Sequence, residues 1–322
     1  MTFLQSNPSL ARHLGTAQKS RMTEPPSQPT SAANLVPLGA IVVAASLFGT
    51  LPFFAKTLGE AGMAAPAIAF CRFALTAVIL LPCVVIRGPQ RKATLWAIVA
   101  GAAIGTGWIG FVESLNWLMV PAAGIVFMTF PVFALVLGVL SFGERLSWGT
   151  GLAATLIVAA GALAAGGAGG ILQAPWQAIM FALAAPAGYG FVLNVVAHRL
   201  DGLSPLAITG SIALGAVFGL TPLVLMTPAD AILPAGADAF LLLLVFSALT
   251  AFLPQFVMTL AVPLVGAGRS AAAASVELPV TFITAGWLLG EAPSARQWLA
   301  GAVIVGAIII AGIDQARHGA RP

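Results

Sequence analysis

The chain has 322 residues, of which 59% are hydrophobic and only 7% carry a charge. Soluble domains carry about a quarter charged residues, so no soluble fold could bury this much apolar surface. The apolar residues form runs of about 20, the length that an α-helix needs to cross the hydrocarbon core of a bilayer. Because these runs are continuous rather than alternating, they predict transmembrane helices and exclude a transmembrane β-barrel.

Ten transmembrane helices are predicted, five in each half of the chain. The first five lie at residues 35–56, 64–86, 93–115, 118–142 and 148–166. The second five lie at residues 175–197, 203–226, 239–262, 266–289 and 297–313. Five is odd, so a chain that weaves back and forth enters the membrane from opposite sides in its two halves. The predicted fold is an all-α polytopic membrane protein made of two inverted five-helix repeats.

Polar segments flank the two predicted repeats, which occupy residues 35–166 and 175–313. Residues 1–34 are rich in Ser, Thr and Pro and contain no apolar stretch long enough for a signal-peptide core. They predict a disordered cytoplasmic tail, and residues 314–322 are expected to form a second, short cytoplasmic tail. Met1 and Met22 both remain open as the start of translation.

The Lys and Arg residues test this topology, because positive charges in short loops favour the cytoplasmic side. With the N-terminus inside, the cytoplasmic side carries eleven of the fourteen: Arg12, Lys19, Arg21, Arg87, Arg91, Lys92, Arg145, Arg199, Arg269, Arg317 and Arg321. The external side carries Lys56 and Arg296, and Arg72 lies within a span. This bias predicts a multi-pass membrane protein with both termini in the cytoplasm. It also accounts for the net charge of +4, so we expect no nucleic-acid binding.

The fourth predicted helix of each half ends in nearly the same sequence. Residues 130–144 read FPVFALVLGVLSFGE, and residues 278–291 read LPVTFITAGWLLGE. A proline inside a span removes a backbone hydrogen bond, so we predict helix kinks at Pro131 and Pro279. The copies differ two residues earlier, because Thr129 precedes Pro131 whereas Glu277 precedes Pro279.

Ionisable residues at membrane depth are the strongest functional candidates, because a charge at the centre of a span costs about 2.5–3.5 kcal/mol. Arg72, Glu113 and Glu277 are in this position. Arg72 and Glu113 fall at similar depths on consecutive antiparallel helices, which allows a salt bridge. Such a bridge would either fix the helix register or contact a zwitterionic substrate. Glu277 is interpreted either as a group for proton coupling or for a substrate amine, or as a neutral, hydrogen-bonded residue.

A substrate pocket at membrane depth also needs polar groups on an apolar wall. The polar candidates within the spans are Thr129, Tyr189, Asn194, Gln255 and Ser275. Gly101 with Gly105 and Gly215 with Gly219 form small-residue seams, which suit either plain helix packing or a moving interface. No His and Cys residues have the spacing of a metal site, so neither a metal nor a cofactor is expected.

In their order along the chain, these motifs resemble the drug/metabolite transporter superfamily, specifically its two-domain EamA-type members. The resemblance covers about residues 35–313 and is carried by the two Pro to Gly-Glu helices, Cys71-Arg72-Phe73, Phe48-Gly49 with Lys56, and Tyr189-Gly190 with His198. It implies a ten-helix, inverted-repeat secondary transporter of the inner cell membrane that moves small metabolites such as amino acids or related compounds. Export by alternating access through a central cavity is the direction and mechanism that it favours.

Two other classes remain as alternatives to such a carrier. A passive channel or facilitator has the same composition. A membrane-embedded enzyme that binds diphosphates through metal ions needs clustered carboxylates, whereas the ten acidic residues of this chain are dispersed, so no enzyme activity is expected. The expected partners are a small-molecule metabolite and the lipid bilayer, and the protein is expected to be a monomer or a homodimer.

Overall fold

The computed structural model describes residues 35–86, 88–114, 116–118, 126–144, 147–164, 174–288, 290 and 293–318. The predicted N-terminal tail and the last residues of the C-terminal tail lie outside this set. The regular structure of the described residues is helical. Seven segments are long and apolar enough to cross a membrane, and three shorter apolar helices accompany them. The protein is therefore an all-α, multi-pass membrane protein.

The helices of the first half follow the predicted spans with two differences: the first span is broken, and the helix of the fourth begins at Phe130 instead of residue 118. Residues 119–125 of that predicted span lie outside the described set. The helices are α1 (Leu35–Phe48), α2 (Leu51–Glu60), α3 (Ala65–Leu80), α4 (Arg91–Ser114), α5 (Phe130–Phe142) and α6 (Trp148–Ala164). The break separates α1 from α2 within one apolar segment, Leu35–Glu60. Pro52 lies at the start of α2, where its missing N–H costs no hydrogen bond.

The second half contains a π-helical segment within its predicted spans. Its helices are α7 (Trp176–His198), α8 (Pro205–Leu225), α9 (Ala237–Ser247), α10 (Leu253–Val265), α11 (Ala267–Ala274), α12 (Glu277–Leu288) and α13 (Ala295–His318). A π-helical segment, Ala248–Phe252, joins α9 to α10. Such wide turns occur frequently at functional sites. The helix α13 extends to His318, into the region that was predicted as a tail.

Both copies of the duplicated motif begin at a helix break. The chain turns at residues 275–276 between α11 and α12, and at residues 128–129 before α5. Pro131 and Pro279 lie in the first turn of the helices that follow. The prolines therefore begin new helices rather than bend continuous ones, because a residue without an N–H fits the first turn best.

The small-residue seams bring α4 into backbone contact with its neighbours. A Cβ atom at Gly101 would collide with the carbonyl oxygen of Ile212 in α8, and one at Gly215 would collide with that of Ile98. On another face of α4, a Cβ atom at Gly107 would lie 2.6 Å from a backbone oxygen of α7. In lipid such close approach takes the place of the hydrophobic effect as a source of helix association. The central helix of the first half is thus packed between two helices of the second.

Contacts between loops define the two ends of the helix bundle. At one end, Gln90 Nε2 donates a hydrogen bond to the carbonyl oxygen of Gly202 at 2.7 Å, which joins the α3–α4 and α7–α8 loops. At the other end, the Ala64 N–H donates to Ala231 at 2.9 Å, which joins the α2–α3 and α8–α9 loops. The helices α3 and α8 therefore run in opposite directions.

Candidate substrate site

A cavity of about 600 Å³, measured with its open mouth, lies between helices of both halves of the chain. Its walls come from the α1–α2 break, α3 and α4 in the first half and from α7, α8, the π-helical segment and α12 in the second. Aliphatic and aromatic side chains cover most of the surface. The polar residues in the lining are Arg72, Tyr189, Thr250, Gln255 and Glu277.

Arg72 is the buried cation of this cavity, with 5% of its surface exposed. Its guanidinium carbon lies 4.5 Å from the ring centre of Phe73 and 5.9 Å from that of Phe246. The Nε and Nη1 atoms are buried and have no hydrogen-bond partner. Burying a charged group with unpaired donors is costly, so these two N–H groups are available to an anionic ligand.

Glu277 lies in the same cavity, in the first turn of α12. The N-terminus of a helix favours negative charge, so the break before α12 suits a carboxylate. The break between α1 and α2 lies against the start of α12. A Cβ atom at Gly49 would lie 2.8 Å from the backbone oxygen of Glu277, and the Thr281 hydroxyl donates to Gly49 at 3.3 Å. Two interrupted spans, one from each half, therefore cross beside the acidic side chain.

Arg72 faces Glu277 rather than its predicted partner Glu113. Arg72 and Glu277 both line the cavity, and the Nε and Nη1 atoms of Arg72 have no hydrogen-bond partner among the described residues. Glu113 is exposed near the end of α4 and does not line the cavity. The reason is that α8 packs against both α3 and α4, which make little contact with each other. The possible Arg72–Glu113 salt bridge is therefore not formed.

Aromatic rings form one wall of the cavity. The ring centres of Trp108 and Phe127 are 5.8 Å apart, and those of Phe127 and Tyr189 are 6.4 Å apart in a stacked arrangement. Phe130, which is fully buried, supports Tyr189 edge-on at 5.0 Å. The Tyr189 hydroxyl is buried without a hydrogen-bond partner. Such a wall excludes water and offers ring faces to a cationic group.

Three of the predicted polar residues bond to helix backbone and do not line the cavity. Thr129 and Ser275 donate to carbonyl groups three and four residues earlier, at 2.6 and 3.1 Å, and both lie at helix breaks. Asn194 is fully buried and donates from Nδ2 to Ala134 in α5 and to Gly190 in α7, both at 2.8 Å. Asn194 thereby joins α7 to α5, whereas Thr129 and Ser275 bond within their own turns.

Thr250 was missed by the sequence analysis. Its hydroxyl group donates a hydrogen bond to the carbonyl oxygen of Phe246 at 2.8 Å. Thr250 lies in the π-helical segment that lines the cavity. A sequence signal does exist, because Pro254 lies four residues later and has no N–H for the carbonyl of Thr250. Such a proline predicts a distorted turn at this level of the span.

Glu144, which closes the first copy of the motif, fastens the two halves together at one end. Its Oε1 and Oε2 atoms accept hydrogen bonds from the N–H groups of Ala267 at 2.8 Å and Gly268 at 3.5 Å, at the start of α11. His198 Nε2 lies 3.4 Å from Oε1. Gly138 makes room for this carboxylate, because a Cβ atom there would lie 2.7 Å from Oε2. The bundle is therefore tied across its halves at the end that holds the α7–α8 loop.

The model of the EamA-like transporter family matches residues 36–165 and again residues 176–313. The chain belongs to this family. Members of the family are transporters and not enzymes, which favours transport over catalysis for this chain as well. In the described part of the chain, no three His, Cys, Asp or Glu side chains are grouped so that they could hold a metal ion.

A solved structure supports the fold of this EamA-family transporter. A crystal structure of a protein is similar to it with a TM-score of 0.66 and 19% identity, over 87% of this chain and 98% of that chain. Likeness at this level of identity concerns the fold alone. No curated protein matches the sequence.

Proposed function

We propose that this EamA-family transporter exports small zwitterionic metabolites, such as amino acids or related compounds, across the inner membrane. The observation that carries the proposal is the cavity that contains Arg72, with two unpaired donors, and the carboxyl group of Glu277. Arg72 binds the carboxylate of the substrate, and Glu277 binds its amine. The aromatic wall excludes water and stabilises the ammonium group through its ring faces.

Proton coupling follows from the same arrangement. Glu277 binds either the substrate amine or a proton, but not both, because a carboxyl group in an apolar cavity needs a positive partner to remain charged. Substrate leaves when the cavity opens to one side, and a proton takes its place on Glu277 before the cavity returns. Proton entry is thereby exchanged for substrate exit.

Alternating access is supported by the way the two halves meet. The Glu144 contacts tie them at the end that holds the α7–α8 loop. The two interrupted spans cross beside the cavity at Gly49 and Glu277, and helix breaks are positions where short segments turn relative to each other. Release of the Glu144 contacts, with rotation about the breaks, opens the cavity toward that end.

Ten spans in two inverted repeats are the architecture that this mechanism needs. Seven long segments and three shorter apolar helices supply ten candidate crossings. The second spans of the two halves, α3 and α8, run in opposite directions, which agrees with inversion. The end that holds the α3–α4 loop carries the excess of Lys and Arg residues, so we assign it and both termini to the cytoplasm.

Cysteine labelling tests this topology. Pro89→Cys and Ala235→Cys, each made with Cys71→Ala and Cys83→Ala, place single exposed thiols on the α3–α4 and α8–α9 loops. The neighbouring glycines are avoided because Gly88 and Gly236 have positive φ. An impermeant maleimide added to intact cells is expected to label the second variant, and to label the first only after lysis. Labelling of both from one side would contradict the inverted arrangement.

Transport itself is tested in two steps. Metabolite profiles of cells and medium, with and without the protein, identify the exported compounds. The purified protein in vesicles is then expected to show saturable uptake and counterflow of the identified compound, which are properties of a carrier. Flux that rises linearly with concentration and shows no counterflow would indicate a channel and contradict the proposal.

A further inference from the structure

A second chamber, of about 780 Å³ with its open mouth, adjoins the central cavity. The two share Leu51, Arg72 and Trp108 in their walls. Residues of α2, α3, α4, α8 and α9 line the chamber, and Arg72 is the charged side chain among its described lining residues. The chamber lies between α3 and α4, which leave space because both pack on α8.

Small side chains keep this chamber open. Ala55, Ala65 and Ala69 contribute to its walls, so three positions next to the opening carry no more than a methyl group. Ala69 lies three residues before Arg72 on α3, and residues with this spacing share one face of a helix. Empty apolar space reduces stability, since protein interiors are normally close-packed. A ligand group that fills the chamber would recover the lost contacts.

We propose that this chamber is the side-chain subsite of the transporter and that it selects zwitterions with a large apolar side chain. The inference rests on the proposed function. The carboxylate, the amine and the side chain of such a substrate then occupy three separate positions, all next to the wall that the two cavities share. The carboxylate pairs with the unpaired donors of Arg72, the amine faces Glu277 in the central cavity, and the side chain passes Leu51 and Trp108 into the apolar chamber.

The test compares initial rates for L-alanine and L-phenylalanine in vesicles that contain the full-length protein. The wild type is expected to prefer phenylalanine. Ala69→Phe fills the chamber and is expected to lower the phenylalanine to alanine ratio of transport rates by about tenfold, a typical effect of a few methylene groups in an apolar pocket. Val78→Phe is the control, because Val78 lies on the same helix, is 71% exposed and lines neither cavity.

A second variant keeps the test informative if Ala69→Phe does not fold. Leu223→Ala enlarges the chamber from α8 and is expected to raise the ratio of L-tryptophan to L-phenylalanine transport about threefold or more. Ratios that stay at the wild-type value in the folded variants overturn the subsite while transport itself stands. Failure of the wild type to transport any of the three amino acids, in vesicles where the compound found by metabolite profiling shows counterflow, overturns the subsite alone. Absence of counterflow with every compound overturns the proposed function as well.

Discussion

We expect transport to fall about 30-fold or more when Arg72 is replaced by Met, while the folded protein is recovered in normal amounts. Removal of one partner from a buried, hydrogen-bonded charge pair costs about 2–5 kcal/mol, and 1.4 kcal/mol corresponds to tenfold. Within the protein, by contrast, the Nε and Nη1 atoms of Arg72 have no hydrogen-bond partner, so their loss removes a desolvation cost. Initial rates in vesicles and thermal unfolding in detergent measure the two effects separately.

Two matched variants sharpen this result. Arg72→Lys keeps the charge but loses the planar fork of donors, so we expect an intermediate rate. Glu277→Gln keeps the shape of the side chain but takes no proton, so transport is expected to be strongly reduced and its residual rate to become independent of pH. If Arg72→Met transports at the wild-type rate, the carboxylate of the substrate binds elsewhere. A wild-type pH profile in Glu277→Gln would remove this residue from proton coupling.

We expect the yield of folded protein to fall sharply when Gly101 is replaced by Leu. A Cβ atom at this position collides with the backbone oxygen of Ile212, and a backbone group of α8 cannot move aside as a flexible side chain would. Overpacking costs about 1–3 kcal/mol where side chains can adjust, and more where they cannot, against a total stability of about 5–15 kcal/mol. Size-exclusion profiles and melting temperatures of the detergent-solubilised protein measure the loss.

A pair of conservative variants separates packing from helix propensity. Gly101→Ala is expected to lower the melting temperature. Gly39→Ala is expected to leave it unchanged or raise it, because a Cβ atom at Gly39 has no neighbour within 4 Å and alanine favours a helix over glycine by about 1 kcal/mol. Equal melting temperatures for the two variants would mean that α4 and α8 do not meet through their backbones.

The apolar character and most of the bounds of the helices were predictable from the sequence, because hydropathy is a local property. The positions of breaks were predictable in part. The duplicated prolines marked the starts of α5 and α12, since proline acts on the backbone of its own turn. The break before α2 has a local signal in Pro52. The contact at Gly49 is long-range, because the close approach of α12 requires a residue without a side chain.

The candidate site was predictable only as a set of residue types. Arg72, Tyr189 and Glu277 all line the cavity, as expected of polar groups inside a span. Depth along a helix does not say which face a side chain occupies. Glu113 has a suitable depth but is exposed, and Asn194 is buried but bonds to two helix backbones.

The sequence by itself determined that this protein is a membrane-embedded helical transporter of two related halves, because span length, charge bias and motif order are all encoded locally. Only the tertiary structure decided which charges meet. Arg72 and Glu277 lie more than 200 residues apart and on different halves, yet they face one cavity because α8 separates α3 from α4 and because two interrupted spans cross at Gly49. Packing between distant helices, which no local pattern records, created the site.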